Sequence, residues 1–184
     1  MSRPELWSDL FGNQQPVEIE IGPGRGEVLR AFARDRPEVN FFAIEFVRGA
    51  AAALAERCRT DGLANVRVLA ADAGFVVGHL VPDASVAAYH VYFPDPWPKR
   101  RHRKRRVCTP AFARALRRTL APGGSVHVAS DLAWLFDDIA RALVAEGFAR
   151  VGTPPARPSS KFEGKYATAG AYEATFAPAP PAAA

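Results

Sequence analysis

The sequence predicts an α/β fold in which one mostly parallel sheet carries helices on both faces. Three observations predict it. Short apolar runs recur along the chain, separated by stretches with helical spacing, which is the alternation expected of strand–helix–strand units. The first run leads straight into a glycine-rich loop, Gly22-Pro23-Gly24-Arg25-Gly26. The other runs end at, or are followed by, Glu45, Asp72, Asp95 and Ser130-Asp131, and ligands of such sheets bind outside the carboxyl ends of the strands.

The elements follow in order. Residues 1–16 form a short polar lead with Trp7, Leu10 and Phe11 as anchors against the domain. VEIEI at 17–21 reads as the first strand, and residues 27–34 place Val28, Leu29 and Phe32 on one side of a helix that Pro37 closes. NFFAIEF at 40–46 is a second strand. An alanine-rich helix follows over roughly 47–60 and ends at Asp61-Gly62. VRVLA at 66–70 is a third strand, running into Asp72-Ala73, and SVAAYHVYF at 85–93 a fourth. Thr109 and Pro110 have the chemistry of an N-cap and a first-turn proline for a helix carrying Phe112, Leu116 and Leu120.

Pro122-Gly123-Gly124 turns the chain into a fifth strand at 125–129, and Asp131 opens a helix whose buried stripe is Leu135, Ile139, Ala142 and Leu143. Residues 153–160 form a loop, and AYEATF at 171–176 alternates like a final strand. The reading is a single domain over residues 1–176, with APAPPAAA at 177–184 as a disordered tail.

Charge is the next signal. The chain of 184 residues carries a net charge of +5, yet residues 99–106 alone hold seven cations and one histidine. The rest of the chain is therefore mildly acidic, and the basic patch is local, as suits a polyanion docking at one place. Cys58 and Cys108 are far apart and form no CxxC pair, and His79, His90, His102 and His127 show no ligand spacing, so no metal site is expected. The start of the chain has no apolar signal region and no run reaches the length of a membrane span, so a cytoplasmic protein with no membrane partner is expected. A monomer and a homodimer both fit.

The basic run continues from YFPDPWP at 92–98, where three prolines alternate with Asp95 and Trp97. Each proline fixes its own φ and pushes the preceding residue towards extended geometry, so Asp95 and Trp97 are expected on a stiff, non-helical loop. A carboxylate and an aromatic face beside dense positive charge suit a nucleotide base with its phosphates nearby.

The glycine loop narrows the cofactor. A dinucleotide fingerprint needs G-x-G-x-x-G, but counting from Gly22 the last position is Glu27. The chain offers E-x-G-x-G-x-G, with Glu20 before Gly22, Gly24 and Gly26. An acid beside the cradle disfavours a pyrophosphate and favours a cationic ligand. S-adenosyl-L-methionine, with its sulfonium and ammonium, fits, and the glycines let the backbone come close to it. Glu45 is placed to accept from the ribose hydroxyls and Asp72 to bind the adenine amino group.

These motifs together resemble the bacterial tRNA (guanine-N7)-methyltransferases. The likeness runs through Leu6-Trp7, Phe11-Gly12-Asn13, EIGPGRG, NFFAIEF, Asp72-Ala73, FPDPWPKRRHRKRR, the PGG at 122–124, the ASD at 129–131 and SKFE at 160–163. The resemblance implies a Rossmann-like class I methyltransferase sheet of seven strands, the last antiparallel, and a guanine of the tRNA variable loop as target. It implies that Glu20, Glu45, Asp72 and Asp95 bind S-adenosyl-L-methionine, with Asp95 also catalytic. Lys99 and Asp131, and the block Ser160, Lys161, Phe162 and Glu163, would contact RNA. Arg100, Arg101, Arg103, Lys104 and Arg105 would neutralise phosphates beside Lys99. Pro23 stands where an aromatic is usual, and Ser130 and Ser160 replace threonines.

The chemistry agrees with this choice of residues. Guanine N7 has an exposed lone pair, so no base need remove a proton, and the product purine is cationic. Asp95 is thus expected to position the guanine and favour the developing charge, not to act as a general base. An adenine amino-methyltransferase would need an acid-Pro-Pro-aromatic loop, which Asp95-Pro96-Trp97-Pro98 does not match. A non-catalytic RNA-binding protein on the same fold is the alternative of a different class.

Overall fold

A computed structural model describes residues 5–97, 108–158 and 170–179. Seven strands form one sheet: β1 (Val17–Ile21), β2 (Asn40–Glu45), β3 (Val66–Ala70), β4 (Val86–Tyr92), β5 (Leu120–Ser130), β6 (Phe148–Gly152) and β7 (Tyr172–Pro178). Their order is β3-β2-β1-β4-β5-β7-β6. The pairs β1–β2, β1–β4, β2–β3 and β4–β5 are parallel, and β7 runs antiparallel to both neighbours. The chain therefore winds outward from β1 to β3, then returns to the centre at β4 and winds the other way. The crevice at that reversal, outside the carboxyl ends of β1 and β4, is where ligands of such sheets bind.

The helices are α1 (Glu5–Phe11), α2 (Glu27–Asp35), α3 (Arg48–Thr60), a short α4 (Ala73–Phe75) that passes into a π-helical turn at Val76–Leu80, α5 (Pro110–Thr119) and α6 (Ala133–Ala145). Two apolar clusters follow from the strand alternation. Ile19, Ile21, Phe42 and Val91 pack with Leu116, Ile139 and Leu143 on one face, joined by Trp7 and Phe11 of α1. Phe41 and Ala43 pack with Leu29, Phe32 and Leu54 on the other. Thr109 accepts from the Phe112 amide at 3.2 Å and Pro110 occupies the first turn, as the sequence predicts for α5.

Three expectations change. Asp131 does not open α6, which starts at Ala133. Instead the Ser130 hydroxyl accepts from the Leu132 amide at 3.2 Å and makes its own tight turn before the helix. The fifth strand begins at Leu120, because Leu120 pairs with Val86 and Ser125 with Ala88, so the Pro122–Gly124 turn loops out between two paired stretches. The last strand runs past residue 176: Ala177 pairs with Ala149 and Pro178 with Phe148, and the Ala179 amide donates to Gly147 at 2.9 Å. The ordered domain thus takes in the first residues assigned to the tail, with Pro178 tolerated at the strand end, where its missing N–H is least costly. The strand β6 carries one buried residue, Phe148, and four exposed ones, so it has no alternation to read.

Candidate functional site

The glycine loop is tied to the second strand from both sides. The Gly22 amide donates to the Ile44 carbonyl at 2.9 Å, and the Gly24 amide donates to Glu45 Oε2 at 3.2 Å. Glu45 Oε1 accepts from the Val47 amide at 2.9 Å. A carboxylate has about four acceptor positions, so these two amides aim the group and still leave a position on each oxygen for a ligand's hydroxyls. Space exists in front of the loop: a Cβ at Gly22 or Gly24 would meet nothing within 4 Å. Gly26 differs, since its φ is 72° and a Cβ there would lie 2.1 Å from Leu54 Cδ1. That glycine lets α2 start against α3.

Glu20 lies two residues before Gly22, and its carboxyl is buried. Burial pushes its pKa up to about 8, with the nearby Arg157 guanidinium pulling the other way. Such a group is held largely neutral until a cation arrives to favour the charged form. A phosphate would make this worse. A cationic ligand would relieve it.

Asp72 follows β3, and the Ala71 amide donates to the Glu45 carbonyl at 3.0 Å, which sets the two acids side by side along the edge. Asp72 Oδ1 caps α4 by accepting from the Phe75 amide at 2.8 Å, so a ligand would be met by the second oxygen. Asp95 is exposed, three residues beyond β4. The Phe93 amide donates to the Ala129 carbonyl at 2.8 Å, which brings the Asp95 loop next to the turn holding Ser130 and the half-buried Asp131. Phe93 and Trp97 take φ of 48° and 39°, not the extended geometry expected before proline. At Phe93, the tertiary bond to Ala129 overrides the local preference.

Glu20, Gly22, Gly24, Gly26, Glu45, Asp72, Asp95 and Asp131 thus share the carboxyl edge of the sheet. Lys99, Arg100, Arg101, Arg103, Lys104, Arg105, Ser160, Lys161 and Glu163 lie outside the described residues. A cavity of about 760 Å³, lined by Trp7, Asn13, Pro16, Pro82 and Ser85, opens at the starts of β1 and β4, at the opposite end. It holds none of the acids, so the open carboxyl edge is the candidate site. Among the described residues, no three His, Cys, Asp or Glu side chains gather as for a metal ion, and no helix is long and apolar enough to cross a membrane.

Sequence reasoning missed Arg157. Its side chain is only 6% exposed, forms an ion pair with Glu173 and stands 4.9 Å and 5.0 Å from the ring centroids of Tyr92 and Phe93. A single arginine in a proline-rich loop gives no local hint of partners on β4 and β7. Glu18 was also passed over. It accepts from Arg36 at 2.7 Å and bonds to the buried His90 at 2.8 Å.

Comparison with known proteins gives a consistent setting. A family model described as a putative methyltransferase matches residues 14–173. The tRNA (guanine-N(7)-)-methyltransferase of Vibrio cholerae is 39% identical over 176 residues, covering 88% of this chain and 72% of that one. That of Aliivibrio fischeri is 36% identical, with 86% and 70% covered. That of Bordetella parapertussis is 38% identical over 173 residues; 88% of this chain is covered, but the chain spans just 66% of the relative's length. Among solved structures, the 16S rRNA methyltransferase KamB superposes with a TM-score of 0.67 at 18% identity, over 95% of this chain and 93% of that one. A SAM dependent methyltransferase from Aquifex aeolicus does so with 0.62 at 16% identity, over 94% and 88%. These two carry the fold alone.

Proposed function

The chain belongs to the tRNA (guanine-N(7)-)-methyltransferase family, and from that premise we propose that it transfers a methyl group from S-adenosyl-L-methionine to N7 of a guanine in tRNA. The observation that carries the reading is the buried Glu20 carboxyl just before an open glycine loop, a setting that favours a cation and opposes a phosphate. The donor set fits the cofactor: Glu20 for the cationic methionine end, Glu45 for the ribose hydroxyls, Asp72 for the adenine amino group.

When bound, S-adenosyl-L-methionine supplies an electrophilic methyl on a sulfonium. The chain's own residues do the rest. Asp95, exposed at the edge beside the crevice, accepts from guanine N–H groups and so holds N7 in line. Its negative charge favours the cationic purine that forms, and no proton has to leave before the transfer. Lys99, Arg100, Arg101, Arg103, Lys104 and Arg105 supply phosphate contacts, with Asp131 and the Ser160, Lys161 and Glu163 block on the RNA side. The target is a guanine of the variable loop, which must leave its tertiary contacts to reach the site.

The test is transfer of label from S-adenosyl-L-methionine to a tRNA transcript, repeated with 7-deazaguanine in place of guanine. Label that is lost on replacement supports N7. Label that survives the swap removes that assignment, and intact RNA binding with no label at all points to a binding protein on the same fold.

A further inference from the structure

Phe93 is a bulky residue at φ 48°, a conformation that costs about 1–3 kcal/mol and persists only where its surroundings over-determine it. Two restraints do so. The first is the amide bond to Ala129. The second is Arg157, whose guanidinium carbon lies 5.0 Å from the Phe93 ring centroid and 4.9 Å from that of Tyr92, the last residue of β4. Arg157 is anchored in turn by its ion pair with Glu173, and Glu173 stands directly opposite Ala129 in the β5–β7 register. One side chain therefore ties the end of β4 to β7, which pairs with β5 at Ala129, two residues before Asp95. A planar guanidinium suits this place because it can lie against aromatic faces while its edge pairs with a carboxylate.

We propose that Arg157 is a positioning residue for the methyl transfer: it holds the strained turn at Phe93 and thereby sets where the Asp95 carboxylate meets guanine. This rests on the reading of Asp95 given above. The charge of Arg157 also reaches Glu20 and holds that acid below where burial alone would put it. The same side chain thus acts by charge on the methyl-donor side and by contact on the guanine side of the crevice.

The test uses the full chain labelled with 5-fluorotryptophan. Its three tryptophans, Trp7, Trp97 and Trp134, give three fluorine resonances that single Trp→Phe variants assign. Trp97 shares the Asp95 loop, while Trp7 lies at the other end of the sheet and Trp134 on α6. In Arg157→Met the Trp97 resonance is expected to move or broaden while the other two hold. The kcat is expected to fall on the order of 100-fold, with KM for S-adenosyl-L-methionine changing far less. Arg157→Lys keeps the charge but not the plane, so its kcat should lie between. An unmoved Trp97 resonance, or wild-type kcat, would overturn the proposal. So would a loss in which all three resonances shift together. Should Arg157→Met not fold, the Arg157→Lys resonances and kcat decide in the same way. Should the wild-type chain transfer no methyl, the functional reading fails while the Trp97 resonance still reports on Arg157.

Discussion

Glu18 and Glu20 stand two residues apart on the same face of β1, both buried, and their carboxyls are set in opposite directions. Burial acts to raise Glu18, but its bonds to His90 and Arg36 and their charges outweigh it and hold the carboxyl below the usual range. Burial wins at Glu20 and pushes it up to about 8, with Arg157 opposing only in part. One acid is satisfied by the fold. The other stands beside the open glycine loop.

A proton-linked binding reaction follows. Glu20 is mostly protonated at neutral pH, and a cation arriving beside it lowers its pKa, so binding of S-adenosyl-L-methionine should release a proton below about pH 8. Affinity should rise from pH 6 to pH 8 and then level off. Calorimetry in buffers of different ionisation enthalpy would measure the released proton. In Glu20→Gln the Glu20 share of the proton release should vanish and affinity drop by about 10–100-fold, the worth of a charge-assisted hydrogen bond. Equal proton release in both proteins would remove Glu20 from the site, since the ligand's own titration is common to the two.

Gly22 and Gly26 should separate binding from stability. Both have positive φ, so alanine is strained at either, but only Gly26 faces a neighbour. Gly26→Ala should cost about 2 kcal/mol or more, because overpacking against Leu54 adds to the backbone penalty. Gly22→Ala should cost about 1 kcal/mol and mainly weaken cofactor binding. Urea titrations and cofactor calorimetry on the two variants test this. In the double variant with Leu54→Ala the packing part of the Gly26→Ala cost should disappear.

Asp95→Ala should abolish transfer without harming the fold. The side chain is exposed, and substitutions at such positions usually change stability by under about 0.5 kcal/mol. Because guanine N7 has no proton to lose, the rate in Asp95→Asn should show no new basic limb. Turnover near wild type in Asp95→Ala would take the residue out of its role.

What the sequence made legible was local. VEIEI shows a strand because apolar residues alternate with acids, and the glycines after it pick out Glu20 as the acid beside a cradle. Nothing local separates Glu18 from Glu20. The difference is made by Arg36 at the end of α2 and by His90 on β4, which only the folded sheet brings near. Arg157 was illegible for the same reason, its contacts coming from β4 and β7. The strand β6 was missed because an edge strand with one buried residue has no period to read, and Asp72 was legible as an acid at a strand end but not as the cap of α4.

RNA affinity should fall steeply with salt. Each phosphate neutralised by a cation of the 99–106 run contributes roughly 0.7–0.9 to the slope of log affinity against log salt. Replacing Arg103 and Lys104 by glutamine should therefore reduce the slope by about 1.5 and leave cofactor affinity unchanged. Filter binding over a salt series measures it. An unchanged slope would move the phosphate contacts elsewhere.

The ring of His127 should impose a pH dependence on stability that is distinct from that of the site. His127 is stacked on His90 with centroids 5.1 Å apart and is bonded to Ser125 at 3.2 Å and Thr175 at 3.0 Å. Burial and then the charge of His90, with Arg36 adding to it, push its pKa down to about 4, while Glu18 opposes. Its folded pKa is thus below the ordinary value of 6.5, so the unfolded chain takes up the proton first as pH falls. His127 should therefore withdraw stability from about pH 6.5 to pH 4, by up to about 2 kcal/mol once solvent screening of a partly exposed ring is allowed for. Glu20, whose folded pKa of about 8 lies above its ordinary 4.5, adds stability as pH falls from 8 towards 4.5 and opposes it. Glu18 acts in a lower window. Its depressed pKa contributes stability above its ordinary value of 4.5 that is lost as pH falls through the folded value. His127→Gln should therefore raise the urea midpoint at pH 4.5 relative to that at pH 6.5, compared with the parent chain, and leave the steeper loss below pH 4.5 in place. The same midpoint difference between pH 6.5 and 4.5 in variant and parent would take His127 out of that window.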